Sequence, residues 1–214
     1  MAKAKIEHVC TDCGASHPKW AGQCTSCGQW NTLVEEIAIP SDVAVIGPAS
    51  STPTRIGEID PLVGRPVATG IAELDRVLGG GVVPGSVTLL GGEPGIGKST
   101  ILLQLLAQWT GPALYVTAEE SAQQVRLRAE RLDAVRDGLW LLAETTLPHV
   151  LAAIDDVKPE IVVIDSIQTV HDPAIGSAPG SITQVRGCAQ QLVNIAKLRD
   201  VPVVLVGHVT KEGS

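Results

Sequence analysis

The sequence predicts an α/β protein in which a mostly parallel sheet is flanked by helices and preceded by a small four-cysteine zinc-binding module. Three observations carry that expectation. Gly92-Glu93-Pro94-Gly95-Ile96-Gly97-Lys98-Ser99 fits G-x-x-x-x-G-K-[ST], with an apolar run before it and helix-forming residues after it. Ile161-Val162-Val163-Ile164 is continuously apolar and ends in Asp165, the pattern of a parallel strand buried on both faces. The pattern Cys-x-x-Cys-Gly occurs twice near the N-terminus.

With 214 residues, 44% of them hydrophobic, the chain can bury one α/β core and still carry an appendage. No apolar run approaches the ~20 residues of a membrane span. The start Met1-Ala2-Lys3-Ala4-Lys5 lacks the apolar centre of a signal peptide, so a cytoplasmic location with no membrane partner is expected. At a net charge of −7, any nucleic-acid contact must come from a local basic strip. Four Trp, one Tyr and no Phe argue against base stacking as the main mode of such contact.

Residues 1–36 hold Cys10-Thr11-Asp12-Cys13-Gly14 and Cys24-Thr25-Ser26-Cys27-Gly28. Each turn can aim two thiolates at one ion while its glycine relieves the backbone, so Cys10, Cys13, Cys24 and Cys27 together make a tetrahedral site for structural Zn²⁺. A redox pair needs no second copy; iron is the competing ion. So short a segment buries little apolar surface, so the ion should supply most of its stability, with Trp20 and Trp30 expected to cover the site. Lys19 beside Trp20 reads as a solvated surface residue. Residues 37–58, rich in Pro, Ser and Ala, read as a linker with a short strand conceivable at 43–46.

From residue 59 to 214 the pattern is globular. Ile71, Leu74 and Leu78 share one face of a helix expected over 69–78, which Gly79-Gly80-Gly81 stops. A strand at 86–90 enters the phosphate loop. There Gly92, Gly95 and Gly97 let backbone N–H groups converge on a polyphosphate, and Glu93, Pro94, Ile96 and Thr100 complete the wall. Lys98 supplies a charge for the β- and γ-phosphates, and Ser99 is placed to ligate Mg²⁺. A second strand, 113–117, leads to Glu119 and Glu120, with Ser121 and Gln124 boxing the next helix. Glu119 is the candidate for orienting an attacking water; Glu120 reads as a helix-start acid. A third strand is expected at 139–142 and a helix at 146–157.

Asp165, at the carboxyl end of the fourth strand, is the second candidate Mg²⁺ ligand. Residues 169–180 contain many breakers and read as a long functional or disordered loop. Ser181 and Gln184 cap a helix to about residue 198, inside which Cys188 reads as a small core residue. A fifth strand, 201–206, brings His208 to the active edge, as a nucleotide sensor or an ordinary edge residue.

The combination of the four-cysteine module with Lys19-Trp20-Ala21-Gly22 and Trp30-Asn31-Thr32, then Thr69-Gly70-Ile71-Ala72-Glu73-Leu74-Asp75, the phosphate loop, and Asp165-Ser166-Ile167-Gln168-Thr169 resembles the RadA (Sms) family of bacterial DNA repair proteins. The resemblance implies a RecA-like P-loop ATPase core that uses ATP and Mg²⁺. It implies a DNA-dependent ATPase of repair and recombination, processing recombination intermediates by branch migration, with single-stranded or branched DNA and RecA as partners and a hexameric ring as assembly. Under it Glu119 is the catalytic glutamate, His208 matches the RecA-like sensor, and residues 171–182 take the place of the first DNA-binding loop. Family members continue beyond the point where this sequence stops, with further core strands, a Lys-Asn-Arg-Phe-Gly motif and a Lon-protease-like domain. An N-terminal fragment with an incomplete sheet is therefore expected. The competing reading is a nucleotide-switched module whose zinc segment recruits a protein partner without acting on DNA.

Overall fold

Three short strands build the N-terminal sheet in the computed structural model, which describes residues 5–38, 53–60 and 64–208. Strands β1 (Lys5–Cys10), β2 (Ser16–His17) and β3 (Leu33–Ala38) pair antiparallel in the order β2-β1-β3. The register sets Cys10 opposite Leu33 and His8 opposite His17. The sheet continues into the expected linker, because residues 37 and 38 pair with 6 and 5. The strand considered at 43–46 falls outside the described residues. Ile56–Glu58 forms a single 3-10 turn.

Trp20 and Trp30 do not cover the thiols: they are 60% and 67% exposed. They flank Gly22, where an added Cβ would lie 3.7 Å from Trp30 and 4.0 Å from Trp20. Cys10 and Cys24 are buried instead with Leu33, against which Cys13, Ala15 and Ala21 pack, and this small interior holds no indole.

Helix α1 (Ala72–Val77) is shorter than expected because Thr69 is used as a tether. Its backbone N–H and its hydroxyl both donate to Asp75 Oδ1 at 2.7 Å, so the segment before Ile71 is held outside the helix. Ile71, Leu74 and Leu78 pack on the core, as their spacing predicts. The glycine run ends the helix, and Gly81 is required there by its surroundings. Its φ is +133°, and a Cβ would stand 2.0 Å from the Val67 carbonyl oxygen.

The remaining elements alternate strand and helix. They are β4 (Val87–Gly92), α2 (Lys98–Gln108), β5 (Ala113–Thr117), α3 (Ala122–Arg131), β6 (Leu139–Ala143), α4 (Leu147–Val157), β7 (Ile161–Asp165), α5 (Ile182–Arg199) and β8 (Val203–His208). The sheet is all parallel, in the order β4-β8-β7-β5-β6. Alternate residues of β5 and β7 feed opposite faces. Tyr115 and Val163 join the cluster of α2 and α3, while Leu114, Val116, Val162 and Ile164 join that of α4 and α5. Cys188 is buried in the second cluster.

Helix starts differ in how they are satisfied. Ser121 and Gln124 make the full capping box before α3. Thr146 caps α4 without using its side chain. Glu144 takes over: its Oε1 accepts from the backbone N–H groups of Thr145 and Thr146, each at 2.8 Å, and its Oε2 meets His149 Nδ1 at 2.8 Å. The Thr146 N–H first, and then His149, hold this carboxyl down to about 2.

Before α5 the expected box is only half made. Ser181 Oγ accepts from the Gln184 N–H at 3.3 Å, but the Gln184 side chain turns away. It accepts from the Asp172 N–H and donates to the carbonyls of Asp172, Ile175 and Ser177, at 2.9 to 3.1 Å. Residues 169–180, which form no helix or strand, are thereby clasped to α5. The first cysteine turn lies against the same helix: a Cβ on Gly14 would sit 3.1 Å from Arg186 and 3.4 Å from Ile182. Among the described residues, no helix is long and apolar enough to cross a membrane.

Candidate functional site

Strand register assembles the site. Gly92 is aligned with His208 across β4 and β8, Ile164 with Leu205 across β7 and β8, and Thr117 with Asp165 across β5 and β7. Parallel strands share one carboxyl edge, so the phosphate loop, Asp165, the turn after Thr117 and His208 meet there. They line a cavity of about 270 Å³ together with Ser99, Thr100 and Arg128. A larger hollow of about 580 Å³ lies at the other edge of the sheet, among Trp109, Lys158 and Pro202. It contains no phosphate-binding element, so size does not decide the site.

The loop from 93 to 97 is held open by backbone conformations that side chains rarely adopt: Gly95 has φ +81° and Gly97, the N-cap of α2, has φ +98°. Lys98 is buried, and its Nζ donates to the carbonyls of Gly92 (2.7 Å) and Glu93 (2.8 Å). The ammonium is thus fixed under the loop, beside the helix N-terminus.

Asp165 and Tyr115 form a buried pair, with the phenol donating to Asp165 Oδ2 at 2.5 Å. Burial first, and then the charge and hydrogen bond of Asp165, push the phenol's pKa well up, so it stays a donor. The Asp165–Ser166 peptide is cis. Glu119 accepts a short hydrogen bond from Ser166 Oγ and meets His208 Nε2 at 3.0 Å, both at Oε1. Partial burial acts to raise its pKa, but the Ser166 and His208 contacts and the Lys98 charge outweigh it, so the carboxyl sits below its ordinary value and is ionised at neutral pH.

Thr117 shapes the turn that presents Glu119. Its hydroxyl accepts from the Glu120 N–H at 3.1 Å and donates to the Glu120 carbonyl at 3.0 Å. Glu120 binds Arg128, whose Nη2 reaches both carboxylate oxygens at 2.7 Å. Arg128 Nη1 is buried with no partner among the described residues. Arg128 also lines the cavity, with its charge already engaged by Glu120.

The N-terminal cluster is equally compact. Sγ atoms of Cys10, Cys13, Cys24 and Cys27 all lie within 4.8 Å of one another, with Cys10 and Cys27 at 3.7 Å and Cys13 and Cys24 at 3.6 Å. A tetrahedral site with Zn–S bonds of ~2.3 Å has S···S edges of about 3.8 Å. The backbone N–H of Cys27 first, with help from His17, brings Cys24 down to about 5. The Gln29 N–H works to lower Cys27, but burial and the three neighbouring thiols push it up to about 12. Four thiols this close ionise together only around a shared cation, and the arrangement is a zinc-binding cluster. Thr32 Oγ1 accepts from Cys10 Sγ at 3.2 Å, and His17 Nε2 lies 3.4 Å from Cys24 Sγ.

Of the predicted residues, Pro94, Gly95, Gly97, Lys98, Ser99, Thr100, Glu119, Asp165 and His208 line the sheet-edge cavity, Gly92, Glu93 and Ile96 belong to the loop without lining it, and the four cysteines form the N-terminal cluster. Tyr115, Ser166, Arg128 and Thr117 also belong to the sheet-edge site, and no short-range pattern singles them out. Comparison with known proteins agrees with the fold. A family model described as an AAA domain matches residues 52–214. The chain belongs to the AAA domain family. A second model, a zinc ribbon described as a rubredoxin metal binding domain, matches residues 8–35.

Curated relatives carry the name that the order of motifs leads one to expect. The DNA repair protein RadA of Bacillus subtilis is 47% identical over 223 residues, covering 100% of this chain and 49% of its own length. RadA of Pseudomonas aeruginosa is 50% identical over 220 residues, with coverage of 100% and 49%. RadA of Haemophilus influenzae is 47% identical over 224 residues, again with 100% and 49%. The chain spans about half the length of the curated relatives it matches.

Proposed function

We propose that this chain is the nucleotide-hydrolysing part of a DNA repair ATPase, binding ATP with Mg²⁺ at the sheet edge. In the complete protein, hydrolysis would drive branch migration of recombination intermediates alongside RecA, within a hexameric ring. The observation that supports the chemistry best is the register that gathers Lys98, Ser99, Glu119, Asp165 and His208 around one polar cavity.

In this reading residues 92–100 hold the phosphates, and Lys98 exchanges its loop carbonyls for β- and γ-phosphate oxygens. Ser99 and Asp165 would hold Mg²⁺, which when bound neutralises charge on the phosphates. Glu119 uses Oε1 for Ser166 and His208, so Oε2 is the oxygen that meets the attacking water. A carboxylate held below its ordinary pKa is a weak base, so Glu119 chiefly orients that water and takes its proton late. His208, bonded to Glu119, can report the state of the γ-phosphate to β8. The division 1–36, 37–58 and 59–214 is the accompanying domain proposal, and the segment clasped by Gln184 is the proposed first DNA contact.

The test is a steady-state ATPase assay on the complete protein with and without single-stranded DNA, paired with nucleotide binding. Lys98→Ala should lose nucleotide affinity. Glu119→Gln should keep the nucleotide and lose roughly 10²–10⁴-fold in turnover. Unchanged hydrolysis in Glu119→Gln removes that residue from the mechanism. Turnover indifferent to DNA removes the coupling to repair substrates.

A further inference from the structure

The sheet-edge site has a floor that the roles above leave unused. Tyr115 is 1% exposed and lies on β5 two residues before Thr117, the residue in register with Asp165. Two strand residues span about 6.7 Å, close to the reach of a phenol leaning along the strand. Tyr115 belongs to the same buried cluster as Val163 and the body of α2, the helix that begins at Lys98 and Ser99. Its hydroxyl therefore rises out of the apolar layer against Asp165 Oδ2, at 2.5 Å. Phenylalanine would fill the same volume without burying a hydroxyl, and a buried hydroxyl is tolerated only where it is bonded.

We propose that Tyr115 is a positioning residue for the metal-binding carboxylate: by occupying Oδ2 it fixes the rotation of Asp165 and leaves Oδ1 alone to face the cavity. This rests on the reading of Asp165 as a holder of Mg²⁺. A carboxylate free to rotate presents either oxygen, or both, and loses the orientation that a single-oxygen ligand needs. The phenol also offsets the burial of the Asp165 charge, which is 8% exposed, without neutralising it as a cation would.

The test is a titration of the full chain with a fluorescent ATP analogue, varying Mg²⁺ at fixed nucleotide and repeating the measurement in EDTA. In the unchanged protein Mg²⁺ should tighten binding; if it does not, the metal reading of Asp165 fails, and this inference with it. Tyr115→Phe should raise the half-saturating Mg²⁺ concentration about 10-fold, the usual loss when a partner of a metal ligand is removed. Affinity for the metal-free nucleotide should stay within about 2-fold, a combination that general loosening of the core would not give. An unchanged half-saturating Mg²⁺ in the variant overturns the proposal.

The sequence has one tyrosine, which supplies a second measurement on the unmutated chain if Tyr115→Phe does not fold. Protein grown with 3-fluorotyrosine carries a single ¹⁹F resonance. It should move when Mg²⁺ is added to the nucleotide-bound protein and stay still in Asp165→Asn. A resonance that ignores Mg²⁺ in the unmutated chain overturns the proposal.

Discussion

Around the four thiols, Cys10, Cys24 and Leu33 form the whole buried cluster among the described residues, whereas behind the phosphate loop two apolar layers sandwich the sheet. Both regions place several polar groups within a few ångströms of one another, yet they hold them by different means. In the first, the groups that bind the ion are also the core, so ligand and fold are one equilibrium. In the second, the polar edge is a small part of a body stabilised by burial, so a site residue can change without loss of the fold. Binding groups on an apolar scaffold are therefore open to substitution, while those that constitute the scaffold are not.

The largest expected effect tests the first half of that contrast. Chelation, or Cys24→Ser, should unfold the N-terminal module, because structural zinc supplies on the order of 10–16 kcal/mol in small zinc domains. Amide exchange should lose protection in β1 and β3 while β5 and β7 keep theirs. If both sheets lose protection together, the two regions are one unit and the comparison breaks.

A smaller effect tests the second half. Leu106 on α2 is fully buried, and Leu106→Ala should cost about 2–5 kcal/mol in chemical denaturation, lowering the stability of the sheet without changing bound zinc. Loss of zinc in this variant would contradict the separation.

The smallest effect concerns acid. Glu144 is held down to about 2 by the Thr146 N–H and His149, against an ordinary 4.5. A carboxyl lowered in the folded state contributes stability that is complete above its ordinary value and drains as pH falls towards 2. Glu144→Gln should be less stable near neutral pH and lose less on acidification through that window. Parallel melting curves from pH 6 to 2 for the two proteins would refute it.

Much of this contrast is legible in the sequence because it is local. The duplicated Cys-x-x-Cys-Gly, the glycines before Lys98, the apolar run into Asp165 and the Ser121–Gln124 box all lie within a few residues of the groups they serve. What escapes is set by strand order. Tyr115 and Asp165 are 50 residues apart, Glu119 and Ser166 47, and Glu119 and His208 89, and only a sheet in which β7 lies between β5 and β8 makes them neighbours. Gln184 misleads for a related reason. Its spacing from Ser181 is that of a capping box, but the carbonyls of a loop folded beside it offer more hydrogen bonds than one N–H. The exposed Trp20 and Trp30 show the limit of composition: a module with so small an interior cannot accept an indole, however apolar.

The alternation along β7 reaches beyond packing. Ile161 and Val163 are shared with one helical layer, Val162 and Ile164 with the other, and the strand ends in Asp165. Neither layer can detach without stripping one side of the same five residues, so the two halves of the body must open cooperatively, as a single foldon. Partial opening is thereby confined to the periphery, and the residue at the tip of β7 keeps its place for as long as the domain is folded at all.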